Sequence, residues 1–265
     1  MHRLFHSIAV VLFFGYAAPV PAPCQAQSSL PALVVQPTHV EPAAKSAGRG
    51  FPGVGMGVRI SSLGVGAEGA VAIVHRVNLR GGFNLLSYGR GFTKDGVSYD
   101  GHLNLRSAEA HVDWFPFGGR FHFSPGLLVY NGNNVTANVT VPSGQTFTLG
   151  GVSYMSDATN PMTGKGRLDF AKVAPTILAG WGNLVPRKHR HLSISAEFGV
   201  VFQQTPHTAL TLAGNACTSD GTTCVNAATD PTVQANVASE VAKINKSVSP
   251  FKYYPVLSLG IGYKF

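Results

Sequence analysis

After residue 50 the chain alternates apolar and small or polar residues with a period of two, over stretches long for a soluble sheet. The clearest stretch is the last, FKYYPVLSLGIGYKF. Phe251, Tyr253, Pro255, Leu257, Leu259, Ile261, Tyr263 and Phe265 take one face, and Lys252, Tyr254, Val256, Ser258, Gly260, Gly262 and Lys264 the other. A tilted transmembrane strand needs about 9–11 residues, and this one has enough. Seven earlier stretches read the same way: 53–61, 63–74, 77–88, 103–114, 121–130, about 170–181 and 192–202. In the second, Leu63, Val65, Ala67, Val71 and Ile73 are read as outward-facing. The apolar phase slips near Arg106-Ser107, which predicts a β-bulge. Pro125, Pro175 and Pro255 lie inside expected strands and predict bulges or strand ends, because proline has no N–H to donate.

The connections alternate in length. Those after strands two, four and six are short and basic: His75-Arg76, Gly118-Gly119-Arg120, and 183–191. Those after strands three, five and seven are long and polar: 89–102, 131–169 and 203–250. Short periplasmic turns and long extracellular loops are the rule for outer-membrane barrels. Trp114, Phe115, Phe117, Phe121, Phe123, Trp181, Tyr263 and Phe265 cluster toward the short-turn end, and Tyr88, Tyr130, Phe202, Phe251, Tyr253 and Tyr254 toward the other. Two aromatic girdles are expected of a protein crossing two interfaces. A soluble lipocalin-like barrel or sandwich is the rival fold, and two greasy belts facing water would make it aggregate.

The last long loop changes period. Asp230-Pro231 is a helix start, with Asp as N-cap and Pro at the first helical position. Val233, Val237, Val241, Ile244 and Val248 then recur every three or four residues, so a short amphipathic helix is expected over 230–248. It packs on its own loop, or lies on the lipopolysaccharide surface, caps the barrel or meets a partner. The central loop, around NNVTANVTVPSGQTFTLGGVSYM, is read as a hairpin turning at Pro142-Ser143-Gly144.

Composition supports a membrane fold. Only 12% of residues are charged, 31 are glycine and 10% aromatic. Soluble domains carry about 25% charge. The formal net charge of +8 would suit nucleic acid, but an export signal excludes that partner. Residues 1–26 read as the signal peptide: Arg3, the apolar run Ile8–Ala18, and cleavage after Ala26 with Cys24 at −3. Anchoring through Cys24 is the alternative, but Pro23 precedes it. Residues 27–50 read as a Pro/Ala-rich flexible linker, and 51–265 as the barrel domain. Cleavage leaves Cys217 and Cys224, which close a short loop over Ser219-Asp220-Gly221 as a structural disulfide. A two-cysteine metal site lacks a histidine partner nearby.

The ending of the chain on Phe265, with Tyr263 two residues earlier, resembles the signal that outer-membrane barrels present to the barrel assembly machinery. Residues 51–265 together resemble small barrels of the OmpA-like superfamily, the porin-like and opacity-like surface proteins. The resemblance implies an all-β antiparallel up-and-down barrel of about eight strands in the bacterial outer membrane. It also implies a role as structural anchor, adhesin or narrow channel. Expected partners are the lipid bilayer, lipopolysaccharide, the assembly machinery and an extracellular ligand held by the loops.

An eight-stranded barrel is just filled by its inward side chains. Arg59, Glu68, Arg80, Glu109, Asp113, Lys172, Glu197 and Lys252 are expected to point inward as a nearly balanced salt-bridge network. A narrow gated conductance through it is the alternative. Two His-x-Ser pairs, His122/Ser124 and His191/Ser193, place both side chains on one face roughly 7 Å apart. They resemble the pair of outer-membrane lipid A deacylases, but they face the lumen near the short-turn end. A lipid A-modifying enzyme is therefore the third reading, and no catalytic residue is assigned. No Gly-rich phosphate loop, HExxH or cysteine zinc cluster occurs, so no cofactor or metal is expected. The basic links, with His75, Arg76, Arg120, Arg187, Lys188 and Arg190, are expected to face anionic phospholipid headgroups.

Overall fold

A computed structural model describes residues 53–187 and 191–265. The expected signal peptide and linker, and Lys188 and Arg190, lie outside the described residues. Five strands open the chain: β1 (Val54–Ser61), β2 (Gly64–Val74), β3 (Val77–Lys94), β4 (Val97–Trp114) and β5 (Phe121–Asn131). Then come β6 (Asn134–Thr140), β7 (Thr146–Leu149), β8 (Val152–Ser156) and β9 (Thr163–Asp169). β10 (Ala174–Trp181) and β11 (Leu192–Phe202) follow, then β12 (His207–Ala213), β13 (Asn215–Cys217) and β14 (Cys224–Asn226). Helix α1 (Pro231–Val248), a 3₁₀ turn at Ser249–Lys252 and β15 (Tyr253–Lys264) complete it.

Eight of these strands close a barrel in the order β4-β3-β2-β1-β15-β11-β10-β5, with β5 pairing back onto β4. Every neighbouring pair is antiparallel. The chain is therefore an all-β, closed, eight-stranded barrel with one short helix. The last strand joins the first, Ser61 opposite Ser258 and Gly55 opposite Lys264, so no barrel edge is left unpaired.

Alternation sorts the side chains as the period of two requires. Along β15, Tyr253, Leu257, Leu259, Ile261 and Tyr263 face out, and Tyr254, Val256, Ser258 and Gly260 face in. Ile194 is 75% exposed, and Leu257 and Leu259 are 67% exposed. A continuous apolar exterior of this kind is stable only against lipid. Aromatic rings pack side by side at the short-turn end: Trp114 on Phe123, and Phe121 on Phe117, Phe123 and Trp181. Phe202 and Tyr253 meet at the other end. Phe115 and Tyr254 are exceptions to their expected belt positions: Phe115 is buried and turns into the barrel floor, and Tyr254 faces inward and is buried in the upper lumen.

Several sequence expectations change. β4 runs in regular register against β3 from Val97 to Trp114, so no bulge lies at Arg106-Ser107. Leu105 is buried on the same face as Ser107 and Glu109, above the charged residues. The irregularity lies between β4 and β5, at Ala108/Glu109. Leu63 is buried rather than outward, because the β1–β2 turn folds over the barrel mouth. Segment 89–102 is no loop. β3 and β4 continue past the barrel to a tight turn at Asp95-Gly96, both at positive φ (52° and 76°), as a two-residue hairpin turn requires. The prolines sit where one side of the ladder is open. β11 begins pairing at Thr176, just past Pro175, and β1 ends opposite Ser258, short of Pro255. The β4–β5 ladder has a gap between His111/Gly126 and Trp114/Phe123, at the level of Pro125.

Beyond the barrel, the upper halves of β3 and β4 carry the sheet on through β6, β9 and β12. A second sheet has the order β14-β13-β8-β7. The expected hairpin at Pro142-Ser143-Gly144 is replaced by a crossover. Its flanking strands, β6 and β7, belong to different sheets, and β7 instead pairs with β8 over Gly150-Gly151.

Candidate functional site

The lumen is built from all eight barrel strands. β1 supplies Arg59, β2 Glu68, β3 Arg80 and Asn84, and β4 Glu109, His111 and Asp113. β5 supplies His122 and Ser124, β10 Thr176, β11 Glu197 and β15 Ser258. Arg80 is the hub. Its Nε and Nη2 donate to Asp113 at 3.0–3.1 Å, its Nη1 to Glu68 at 3.0 Å, and its Nη2 to Glu197 at 2.6 Å. Arg59 pairs with Glu109, lies 3.5 Å from Glu68 and donates twice to Asn84 Oδ1 at 3.1 Å. His122 Nε2 lies 2.9 Å from Glu197, and Ser124 donates to Asp113 at 2.7 Å. His111 lies 2.9 Å from Thr176 Oγ1 and 3.6 Å from Glu109. The ion-paired carboxylates and guanidiniums are at most 5% exposed.

Six of the eight expected lumen charges are thus brought together. Lys172 and Lys252 are not. Lys172 sits in a bend ahead of β10 and Lys252 in the 3₁₀ turn ahead of β15, and both are exposed. The alternation that would aim them inward has not begun at those positions. An ammonium there stays hydrated at no desolvation cost. Lys252 Nζ lies 5.1 Å from the Tyr253 ring. The lumen is consequently acidic rather than balanced: four carboxylates face two guanidiniums and two imidazoles. His111 escaped notice in the sequence, although it stands between Glu109 and Asp113 at the same two-residue spacing.

Both ends of this charged layer are closed by apolar groups. Above it, Leu63, Leu128, Leu178, Val201, Tyr254 and Val256 pack together, and the Tyr254 hydroxyl donates to Ser62 O at 2.7 Å. Below it, the β10–β11 connection turns into the barrel. Leu184 and Val185 are buried against Ala70. Asn183 Oδ1 accepts from Asn78 Nδ2 and from Val185 N, both at 2.9 Å, and Lys264 Nζ donates to Pro186 O at 2.7 Å. Gly55, Gly57 and Gly262 leave the slot for Leu184: a Cβ at any of them would collide with it. Between floor and ion network a cavity of about 10 Å³ remains, lined by Glu68, Arg80, Asp113, His122, Asn183 and Glu197 among others. It has room for about one water.

The His-x-Ser pairs do not form a nucleophile and its base. Ser124 is bonded to Asp113 and His122 to Glu197. His191 stacks on Tyr263 and bonds Lys264 O at 2.9 Å. Among the described residues neither serine hydroxyl bonds an imidazole nitrogen.

The long loops fold into a cap with its own core. Val97, Val141, Phe147, Leu149, Tyr154, Met162, Val233 and Val237 are buried together, drawn from both sheets and α1. α1 starts as expected: Asp230 accepts from Val233 N at 2.9 Å and Pro231 takes the first turn. Val233, Val237, Ile244 and Val248 are buried, and Val241 is partly buried against the cap core. Asn236 Nδ2 donates to the Tyr154 hydroxyl at 2.7 Å, and Asn245 Oδ1 accepts from Thr208 N at 3.1 Å. The helix therefore packs on its own loops. Cys217 and Cys224 are disulfide-bonded across the β13–β14 hairpin, whose turn uses Gly221 at φ 74°. Asp157 brings a carboxylate beside that pair. With both sulfurs bonded to each other, no thiolate is left to ligate a metal. At the far end, Phe265 N donates to Val54 O at 3.0 Å, and its ring meets Tyr263 edge-on.

Closed barrel, lipid-facing exterior, short turns at one end and a folded cap at the other together define a small transmembrane β-barrel of the outer-membrane type. Crystal structures of CarO and CarO2 from Acinetobacter baumannii share this fold. They align with TM-scores of 0.52 at 18% and 19% identity, over 81% of this chain and 98% and 99% of theirs. No family model and no curated protein matches the sequence.

Proposed function

We propose that the protein is a non-enzymatic outer-membrane barrel, a rigid anchor that presents its cap at the cell surface as an interaction element. In this reading the short turns and Phe265 are periplasmic and the cap is extracellular, as in small OmpA-like surface barrels. The observation that carries it is the division of labour between the two cores. The barrel interior is filled by paired charges between two apolar layers, whereas the cap has its own hydrophobic core, helix and disulfide. A folded cap costs ordering entropy that a plain loop avoids, and its surface is where a ligand would be held. Tyr263 and Phe265 serve as the assembly signal, and lipid and lipopolysaccharide surround the wall.

The narrow channel is the competing reading, favoured by the ring of charged and polar side chains that every barrel strand helps to build. Planar-bilayer recording separates the two. The anchor reading expects no steady conductance from the wild-type chain. A steady current that changes with Glu109→Gln would overturn it in favour of a pore.

A further inference from the structure

We propose that the short-turn end of the barrel carries a built site for the phosphate of a membrane phospholipid, held by Arg120 and Arg187. The site is a pocket of about 480 Å³ beside the β10–β11 connection. That is within the ~300–1,000 Å³ range of small-molecule sites. Arg120, Arg187, Ser193 and the Gly118-Gly119 turn form its polar part, and Leu192 and Ile194 form the side that opens toward lipid. Neither glycine would bring a Cβ within 4 Å of another atom, so the turn is an open cradle.

The electrostatics ask for an anion. Arg187 Nη1 donates to Gly118 O at 3.5 Å and its guanidinium lies 4.8 Å from the Phe115 ring, but Nη2 is buried with no hydrogen-bond partner among the described residues. Arg76, bonded to Pro116 O at 3.1 Å, adds a like charge nearby. Burial and that neighbour hold the Arg187 guanidinium below its ordinary pKa. Among the described residues no carboxylate ion-pairs with Arg76, Arg120 or Arg187, since every lumen acid is committed to Arg59, Arg80 or a histidine. A buried, unpaired N–H on a cation is costly, and a phosphate oxygen relieves it with a charge-assisted bond. Leu192 and Ile194, 71% and 75% exposed, then continue the site along the barrel wall where an acyl chain lies. A phosphate at the cradle with a hydrocarbon tail on β11 describes a phospholipid better than a free anion. An anionic headgroup is preferred, because choline would bring a cation toward the arginines.

The test uses the full chain in nonionic micelles, with Trp114→Phe leaving Trp181, next to pocket residue Gly182, as the single tryptophan, selectively excited. Acyl-brominated phosphatidylglycerol should quench Trp181 at about tenfold lower concentration than brominated phosphatidylcholine, and R120Q/R187Q should abolish that preference. Because Arg187 also touches Phe115, R120Q alone carries the test should R187Q alter folding; the Arg120 side chain is exposed. Equal quenching by the two lipids, or a preference unchanged in R120Q, overturns the site. Displacement by inorganic phosphate at the same concentration as the lipid overturns the lipid in favour of a free anion. The proposal rests on the barrel spanning a membrane, and heat-modifiable gel migration checks that separately. Loss of the migration shift sinks the barrel reading, whereas a normal shift without lipid preference sinks this site alone.

Discussion

Replacing Arg80 with methionine tests whether the lumen is sealed. Arg80 donates to Asp113, Glu68 and Glu197 at 2.6–3.1 Å, and all four groups are nearly inaccessible to water. Methionine fills much of the arginine volume, so packing is largely kept and the charge is what is lost. Glu68 keeps Arg59 at 3.5 Å. Among the described residues Asp113 retains the Ser124 hydroxyl, and Glu197 retains His122 and Ser258. Removing one partner of a buried ion pair costs about 3–5 kcal/mol. With two carboxylates stranded at once, the loss should reach the upper part of that range, about 4–5 kcal/mol. That is a large fraction of a typical stability of about 5–15 kcal/mol. Urea unfolding in micelles, read by tryptophan fluorescence and by heat-modifiable migration, measures it. Removing the stranded charges in R80M/D113N/E197Q should return at least half of the loss, because uncharged amides cost less to bury unpaired. If R80M lies within about 1 kcal/mol of wild type, water is hydrating the carboxylates and the sealed-lumen argument fails. R80K should fall between the two, since an ammonium keeps the charge but not the fork that reaches three carboxylates.

Four further outcomes follow from the floor and the cap. Leu184→Ala should cost about 2–5 kcal/mol in the same unfolding assay. Gly262→Val, whose side chain would overlap Leu184 Cδ1, should expel the 182–187 segment and expose it to protease while the barrel stays closed. The C217S/C224S variant should loosen the β13–β14 hairpin by about 2–3 kcal/mol, from the short loop it no longer closes. Cleavage near 215–226 should rise with no change in barrel migration; loss of barrel migration would refute the independence of the two cores. Asp230→Ala removes the bond to Val233 N and should cost the helix about 1 kcal/mol, read as faster proteolysis within 231–248.

The barrel was legible because strand alternation is a local signal. Each of the eight strands shows its period of two without reference to its neighbours, and parity then orders the turns. Arg59, Glu68, Arg80, Glu109, Asp113 and Glu197 follow directly, since each sits at an inward phase within a strand. Lys172 and Lys252 failed for the complementary reason: phase was extended past the point where the backbone is a strand. Leu105 shows a different limit: above the charged layer the interior is itself apolar, so greasiness alone no longer tells inside from outside.

The cap was the least legible part. Its strands are three to seven residues long and pair across wide sequence gaps: β4 with β6, β6 with β9, β9 with β12, and β8 with β13. Nothing in the loop around Pro142 says that the strands on either side belong to different sheets. Helix α1 was readable from Asp230-Pro231 and its valines, because capping and the 3.6 period are local. Its packing partners, Tyr154 and Thr208, were not.

By itself the sequence determined a barrel of about eight strands, the facing of most residues inside them, the end at which Phe265 lies, the cysteine pair and the helix. All of these depend on residues within a few positions of one another, or on parity. Only the tertiary structure decided that the β10–β11 connection turns inward as a floor, that the upper lumen is apolar and that the long loops share one core. It also brought Arg120 and Arg187 to a common pocket where no acid among the described residues pairs with them. Those are contacts between segments tens of residues apart, chosen by which arrangement leaves the fewest buried groups unpaired.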